Sequence, residues 1–249
     1  MPKFFVNEEQ LNGEKIKIIG KDVNHIKNVL RKKVGNELTI CSTSNGKDFL
    51  CEITKIEEEL ITCKIKEILE NNVEPDVEVT IMQGIPKADK MELIIQKSVE
   101  LGVYDIIPIE MKRCVAKLNK KDSYKKIERW QKIAEVAAKQ SGRNKIPNIK
   151  QVIDLKNVCN LLNKYDIVLL AYENEKENTL KQVLNQLKEK HKEYKKIAVI
   201  IGPEGGIDPE EVNILQESGA ITITLGKRIL RTETVALSVL SIIMYELES

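Results

Sequence analysis

A short β-branched run, a polar loop and a helical pattern follow one another twice in about the last fifty residues. The runs are Ile197 to Ile201 and Ile221 to Leu225. The loops are Ile201-Gly-Pro-Glu-Gly-Gly206 and Leu225-Gly-Lys-Arg-Ile-Leu-Arg-Thr-Glu-Thr234. Strands that each feed a helix pair in parallel, so both loops must leave the sheet at its carboxyl edge, where open α/β sheets hold ligands. Gly202, Gly205 and Gly206 let backbone amides approach a ligand and take positive φ without a Cβ clash. Arg228 and Arg231 put two planar cations in the second loop, and Thr232-Glu-Thr234 reads as a capping start for the closing helix. A backbone cradle beside forked cations suits a nucleotide-like cofactor and a nucleic-acid substrate.

The alternation extends upstream. Val77 to Met82, helix 87–101, Ile106 to Ile109, helix 124–141, Ile167 to Ala171 and helix 176–190 complete an α/β domain, a parallel sheet with helices on both faces. Residues before the linker Glu70 to Pro75 read differently. Lys15 to Ile19, Glu37 to Cys41, Phe49 to Ile56 and Leu60 to Ile68 have strand length, and Ser44-Asn-Gly46 is a turn signal. The expected domains are therefore a small β-barrel over 1–70 and an α/β domain over 71–249. One helix interrupts the barrel, with Asp22 as N-cap, Val23, Ile26, Val29 and Leu30 inward, and Lys27, Arg31, Lys32 and Lys33 outward.

The closing helix, 233–247, carries Val235, Ala236, Leu237, Val239, Leu240, Ile242, Ile243 and Met244 with almost no polar stripe. Such a helix needs two burial surfaces; a second subunit is the natural partner, met by Leu240, Ile243 or Met244, and deep burial within one monomer is the alternative.

Composition removes several classes. No apolar run of about eighteen residues and no signal-peptide core occur, so a cytoplasmic location without membrane contact is expected. The five cysteines (Cys41, Cys51, Cys63, Cys114, Cys159) show no CxxC spacing, and His25 and His191 are too few for a histidine site, so no metal is expected. Net charge is only +2, so the placement of charge matters more than its sum. Against thirty-four lysines the six arginines (Arg31, Arg113, Arg129, Arg143, Arg228, Arg231) mark positions where a bidentate fork is useful. GxGxxG after a strand and GxxxxGK[ST] are both missing, and Met82-Gln-Gly-Ile-Pro-Lys87 has a single glycine where common methyltransferase sheets have a glycine-rich loop.

At this point the chain resembles a family. Residues 201–211 with 225–240 look like the SPOUT superfamily of S-adenosylmethionine-dependent RNA methyltransferases, and more narrowly the ribosomal RNA small subunit methyltransferase E family. The blocks at 87–102 (KADKMELIIQKSVELG), Arg129-Trp130 with 135–143 (EVAAKQSGR), and His25 with Val29-Leu-Arg31 and Val34-Gly35 match the same family in order. Lys3 stands where the family usually has arginine, and Lys227 where proline is common.

The resemblance implies a trefoil-knotted SPOUT domain, a PUA-like N-terminal barrel, a homodimer, and methylation of uridine N3 in 16S rRNA near the decoding centre, within the 30S subunit. It assigns S-adenosylmethionine to Ala171, Ile201, Gly202, Pro203, Glu204, Gly205, Gly206, Leu225, Gly226, Arg228, Ile229 and Leu230, with Thr234 and Ala236 closing the pocket. RNA contact falls to Lys3, Lys27, Arg31, Lys32, Lys33, Lys87, Arg113 and Arg143. Arg231 is the candidate to stabilise the uridinate; Glu233 and Glu204 are the candidates for a general base, each with a structural alternative at a loop or helix start. An RNA-binding module without catalysis, or a SPOUT enzyme acting on another RNA or a ribose 2′-OH, fits the same residues. Cofactor binding separates the first, and the identity of the methylated nucleoside the second.

Overall fold

The computed structural model describes residues 3–70, 73–115, 118–189 and 194–247. His191 and Asn71-Asn72 of the expected linker lie outside the described residues. The chain divides into two compact units, Met1–Glu74 with Ala138–Ile146, and Pro75–Ala137 with Pro147–Ser249.

The first unit is a curled six-stranded sheet. Its strands are β1 (Lys3–Val6), β2 (Leu11–Asn12), β3 (Lys15–Ile19), β4 (Glu37–Ser42), β5 (Asp48–Ile56) and β6 (Leu60–Leu69), in the order β1-β4-β5-β6-β3-β2. Alternation sends Ile16 and Ile18 of β3, Leu38 and Ile40 of β4, and Ile53 of β5 into one core with Phe4 and Ile26. The strand β1 was not expected; too short to show a period, it is held by parallel pairing with β4.

The helix of this unit departs from expectation in two ways. Gly20 occupies the N-cap of α1 (Lys21–Asn24), while Asp22 lies in the first turn and pairs with Lys139 at 3.1 Å. From His25 to Val29 the helix widens to a π-turn, Leu30 N donating to His25 O and Lys32 N to Ile26 O. The added residue per turn shifts the phase of the face, so Val29 is 64% exposed instead of inward.

Residues 138–146 belong with the barrel through buried charge. Lys3, 5% exposed, places Nζ 2.7 Å from Asp48 Oδ2, Gly142 O and Asn144 Oδ1. Arg143, 4% exposed, donates Nε to Glu74 at 3.2 Å, and Glu74 also accepts the amides of Asn144 and Lys145. Burial works against ionised Glu74, but the guanidinium and the two amides outweigh it and hold its carboxyl below the usual range.

The second unit is a parallel sheet. It contains β7 (Glu78–Gly84), β8 (Asp105–Glu110), β9 (Asn148–Ile149), β10 (Ile153–Asp154), β11 (Ile167–Ala171), β12 (Lys196–Ile201) and β13 (Ile221–Ile223). The order is β10-β8-β7-β12-β11-β13, with β9 beside β8. Ile197 to Ile201 are all at most 2% exposed, as a central parallel strand covered on both faces requires. Around the sheet lie α2 (Lys90–Glu100), α3 (Lys120–Ser141, its last turn grouping with the first unit), α4 (Leu155–Leu161), α5 (Leu180–Glu189), α6 (Pro209–Glu217) and α7 (Thr232–Leu247). The sequence pattern missed α4, a short helix of 7 residues capped by Asp154.

In α7, Leu240 and Ile243 are fully buried and Met244 is 5% exposed, against the expectation that one of them faces outward. The helix packs on α2, α5, β7 and β12, which absorbs that stripe within the subunit. The outward face instead carries Ile242, 39% exposed, and Tyr245, 86% exposed.

The buried Lys3–Asp48 pair generates a test. Lys3→Ala should destabilise the protein by about 3–5 kcal/mol, because it strands a carboxylate in the interior. The double change Lys3→Met with Asp48→Asn should cost clearly less. Denaturant titration reads both, and equal losses would show that the pair's charge is not what matters.

Candidate active site

Four parallel strands deliver their carboxyl ends to one edge, and the loops after β11, β12 and β13 enclose a cavity of about 560 Å³ with the starts of α2 and α7. Of the residues expected around a cofactor, Ala171, Ile201, Gly202, Pro203, Glu204, Gly205, Gly206, Leu225, Gly226, Arg228, Ile229 and Leu230 line it, and so does Arg231. Thr234 and Ala236 do not. Helical phase turns Thr232 and Val235 to the cavity instead, while Ala236 is fully buried on the opposite side.

The loop after β12 is braced from three directions. Gly206 N donates to Pro203 O, closing a turn in which Gly206 takes φ +71. From below, the Gly202 carbonyl accepts Thr232 Oγ1 at 2.7 Å and Gln83 Nε2 at 3.3 Å, and Gln83 also donates to Thr232 Oγ1 at 2.9 Å. Arg113 Nη1 reaches Gly205 O at 3.2 Å, and its guanidinium lies 3.6 Å from Asp208. Arg113, expected on RNA, thus packs on the cofactor loop. A Cβ on Gly205 would meet Arg113 Cβ at 3.2 Å, so this glycine also lets Arg113 pack closely on the loop.

Glu204 accepts the Lys87 amide at 3.0 Å and Lys90 Nζ at 3.1 Å. Burial opposes its ionised form, yet amide hydrogen bonds and Lys90 win and lower its pKa. In return Glu204, ahead of Glu233, holds the Lys90 ammonium pKa above its ordinary value. The backbone before α2 is constrained in the same place, with Ala88 at φ +51. Glu233, expected as a base, does not line the cavity; its carboxylate turns to Lys90 at 3.3 Å. Both carboxylates thus brace the start of α2 through Lys90.

The cationic loop is the opposite case. Lys227, Arg228 and Arg231 line the cavity, are exposed, and make no side-chain hydrogen bond or ion pair among the described residues. Gly226, at φ +115, turns the chain into this loop.

The residues expected on RNA separate. In the first unit Arg31 (at φ +52) and Lys33 are exposed, Lys27 Nζ donates to Glu57 O at 2.9 Å, and Lys32 lies near Glu37 O. Lys87 is exposed on the rim of the second unit's loops. Lys3 and Arg143 are corrections: both are buried in the ion pairs described above, which leaves no face for a phosphate. Lys90, Tyr172, Glu173, Thr232 and Val235 are lining residues that sequence reasoning did not assign. Only Thr232 had a signal, its place in a capping segment.

A family model described as an RNA methyltransferase domain matches residues 73–244, and one described as an RNA methyltransferase PUA domain matches residues 18–66. Ribosomal RNA small subunit methyltransferase E of Bacillus subtilis is 37% identical over 93% of this chain and 90% of its own length. The chain belongs to the ribosomal RNA small subunit methyltransferase E family. The Mesomycoplasma hyopneumoniae member is 35% identical over 97% of this chain and 98% of its own. The Neisseria gonorrhoeae member, solved bound to S-adenosyl methionine, matches with TM-score 0.86 and 30% identity over 98% of this chain and 97% of that one. The second unit is thus a SPOUT-type domain and the first a PUA-like barrel.

Within this family member the loop after β11 owes its shape to Glu175, which accepts Thr222 Oγ1 at 2.6 Å and the amides of Lys176, Glu177 and Asn178. The Thr222 bond, then the amides, lower its pKa from 4.5 to about 2. A depressed folded pKa stabilises above the unfolded value and is lost as pH falls through the folded one. Glu175→Gln should therefore melt below wild type at pH 7, with the gap closing as pH drops from 4.5 toward 2. A gap independent of pH would show that its charge is not involved.

Proposed function

We propose that this protein uses S-adenosylmethionine to methylate N3 of one uridine in 16S rRNA near the decoding centre, acting on the 30S subunit in the cytoplasm. The observation that carries this reading is the juxtaposition of unpaired Arg228 and Arg231 with a glycine-braced cavity. The cavity's volume of about 560 Å³ falls within the roughly 300–1,000 Å³ typical of small-molecule sites.

When bound, S-adenosylmethionine supplies an electrophilic methyl group with a thioether leaving group. The protein's share is alignment and charge control. Arg231, just before α7, stabilises the negative charge that spreads to O2 and O4 as N3 passes its proton to solvent water and takes the methyl group, the cofactor leaving as its neutral thioether. Because N3 lies on the Watson–Crick edge, the base must be unpaired or flipped. The barrel over 1–70 would contact RNA through Arg31 and Lys33, and 71–249 would carry the chemistry in a domain tied by the family's deep trefoil knot. The outward Ile242 and Tyr245 of α7 support a homodimer through this domain.

Three outcomes follow. Incubation with labelled S-adenosylmethionine and undermethylated 30S subunits should give 3-methyluridine; a ribose-methylated product would overturn the assignment of the atom. Arg231→Lys keeps the charge but loses the fork, and should lower kcat by roughly 100-fold or more with a smaller change in KM. Near-normal single-turnover methylation with weakened RNA affinity would reduce Arg231 to a binding residue. Tyr245→Asp should shift sedimentation from dimer to monomer, whereas a wild-type monomer at micromolar concentration would remove the dimer.

A further inference from the structure

Carboxylates around the cavity are held in place, with one exception. Glu204 accepts the Lys87 amide and pairs with Lys90, Glu233 pairs with Lys90, and Glu175 accepts three amides and the Thr222 hydroxyl. Glu173 lines the cavity and has no hydrogen bond or ion pair among the described residues. Its backbone is nevertheless anchored. The carboxylate rests on the Cα face of Gly206, where a Cβ would overlap Oε1, and the backbone on either side is anchored by Tyr172 N donating to Ile223 O and by Glu175.

The cationic loop lines the same cavity. Lys227, Arg228 and Arg231 present unpaired positive charge to the same cavity. A ligand with net positive charge would be repelled by that loop unless a negative group faced it. S-adenosylmethionine is such a ligand, with a sulfonium and an ammonium against one carboxylate.

We propose that Glu173 is the charge-selecting residue of this site, the carboxylate that pairs with a cationic centre of the cofactor when it enters over Gly206. The proposal rests on the S-adenosylmethionine reading above. It also gives Gly206 a second role: besides its positive φ, its missing Cβ leaves the room in which the Glu173 carboxylate lies.

Calorimetry of the full-length protein with S-adenosylmethionine and with S-adenosylhomocysteine tests this, using wild type and Glu173→Gln. Because Glu173 is exposed and unpaired, the variant should melt as wild type does. It should bind S-adenosylmethionine about tenfold more weakly at low salt, with the gap narrowing as salt rises. An equal loss for S-adenosylhomocysteine would identify the ammonium as the paired group; a loss confined to S-adenosylmethionine would identify the sulfonium. Affinity and salt dependence unchanged in Glu173→Gln would overturn the proposal while leaving the cofactor in place. Failure of wild type to bind S-adenosylmethionine would overturn the cofactor reading, and this one with it.

Discussion

Gln83, Thr232 and the carbonyl of Gly202 form a buried hydrogen-bond node that joins the end of β7, the loop after β12 and the first turn of α7. Gln83 is fully buried and Thr232 is 6% exposed, so each bond forms out of reach of water, where an unmade bond would cost about 1–3 kcal/mol. The cavity is built around this node. It sets the height of the glycine loop over the sheet, and it fixes the phase of α7, which turns Thr232 and Val235 to the cavity and Ala236 away. Gly84 belongs to the same arrangement, since a Cβ there would lie 2.7 Å from Pro203 Cδ.

Above the node, charge is sorted by function. Acidic groups serve mainly as braces: Glu204 and Glu233 share Lys90, Glu175 shapes its own loop, and Asp208 caps α6 while lying near Arg113. Cations of the 225–231 loop have no side-chain partners among the described residues. Pairing on one side keeps the shape of the pocket, while the cations on its lining stay exposed.

The first unit handles charge differently. Lys3 and Arg143 have the residue types of RNA contacts, yet they hold residues 138–146 against the barrel through Asp48 and Glu74. Lys3 has the same ammonium as exposed Lys33, and only its surroundings separate the roles. Buried ion pairs require a fixed geometry, and Lys3 has three acceptors at 2.7 Å, although Asp48 Oδ1 is buried without a hydrogen-bond partner.

Much of the architecture was legible in the residues alone. Ile197 to Ile201 and Ile167 to Ala171 announce buried parallel strands, and two glycine loops that follow strands announce a ligand edge, because local apolar runs and glycine conformational freedom are properties of short segments. Helical phase at α7, the π-turn that exposes Val29, and the inward turn of Lys3 and Arg143 were not legible. The π-turn adds a residue to a local turn that no apolar period marks, whereas the others depend on partners distant in the chain: Thr232 on Gly202, Lys3 on Asp48 and Asn144, Arg143 on Glu74. Sequence determined which segments become strands and helices and which loops can cradle a ligand. Tertiary structure decided which charges are buried as braces and which remain open to a substrate, because burial and pairing exist only once segments far apart in the chain are brought together.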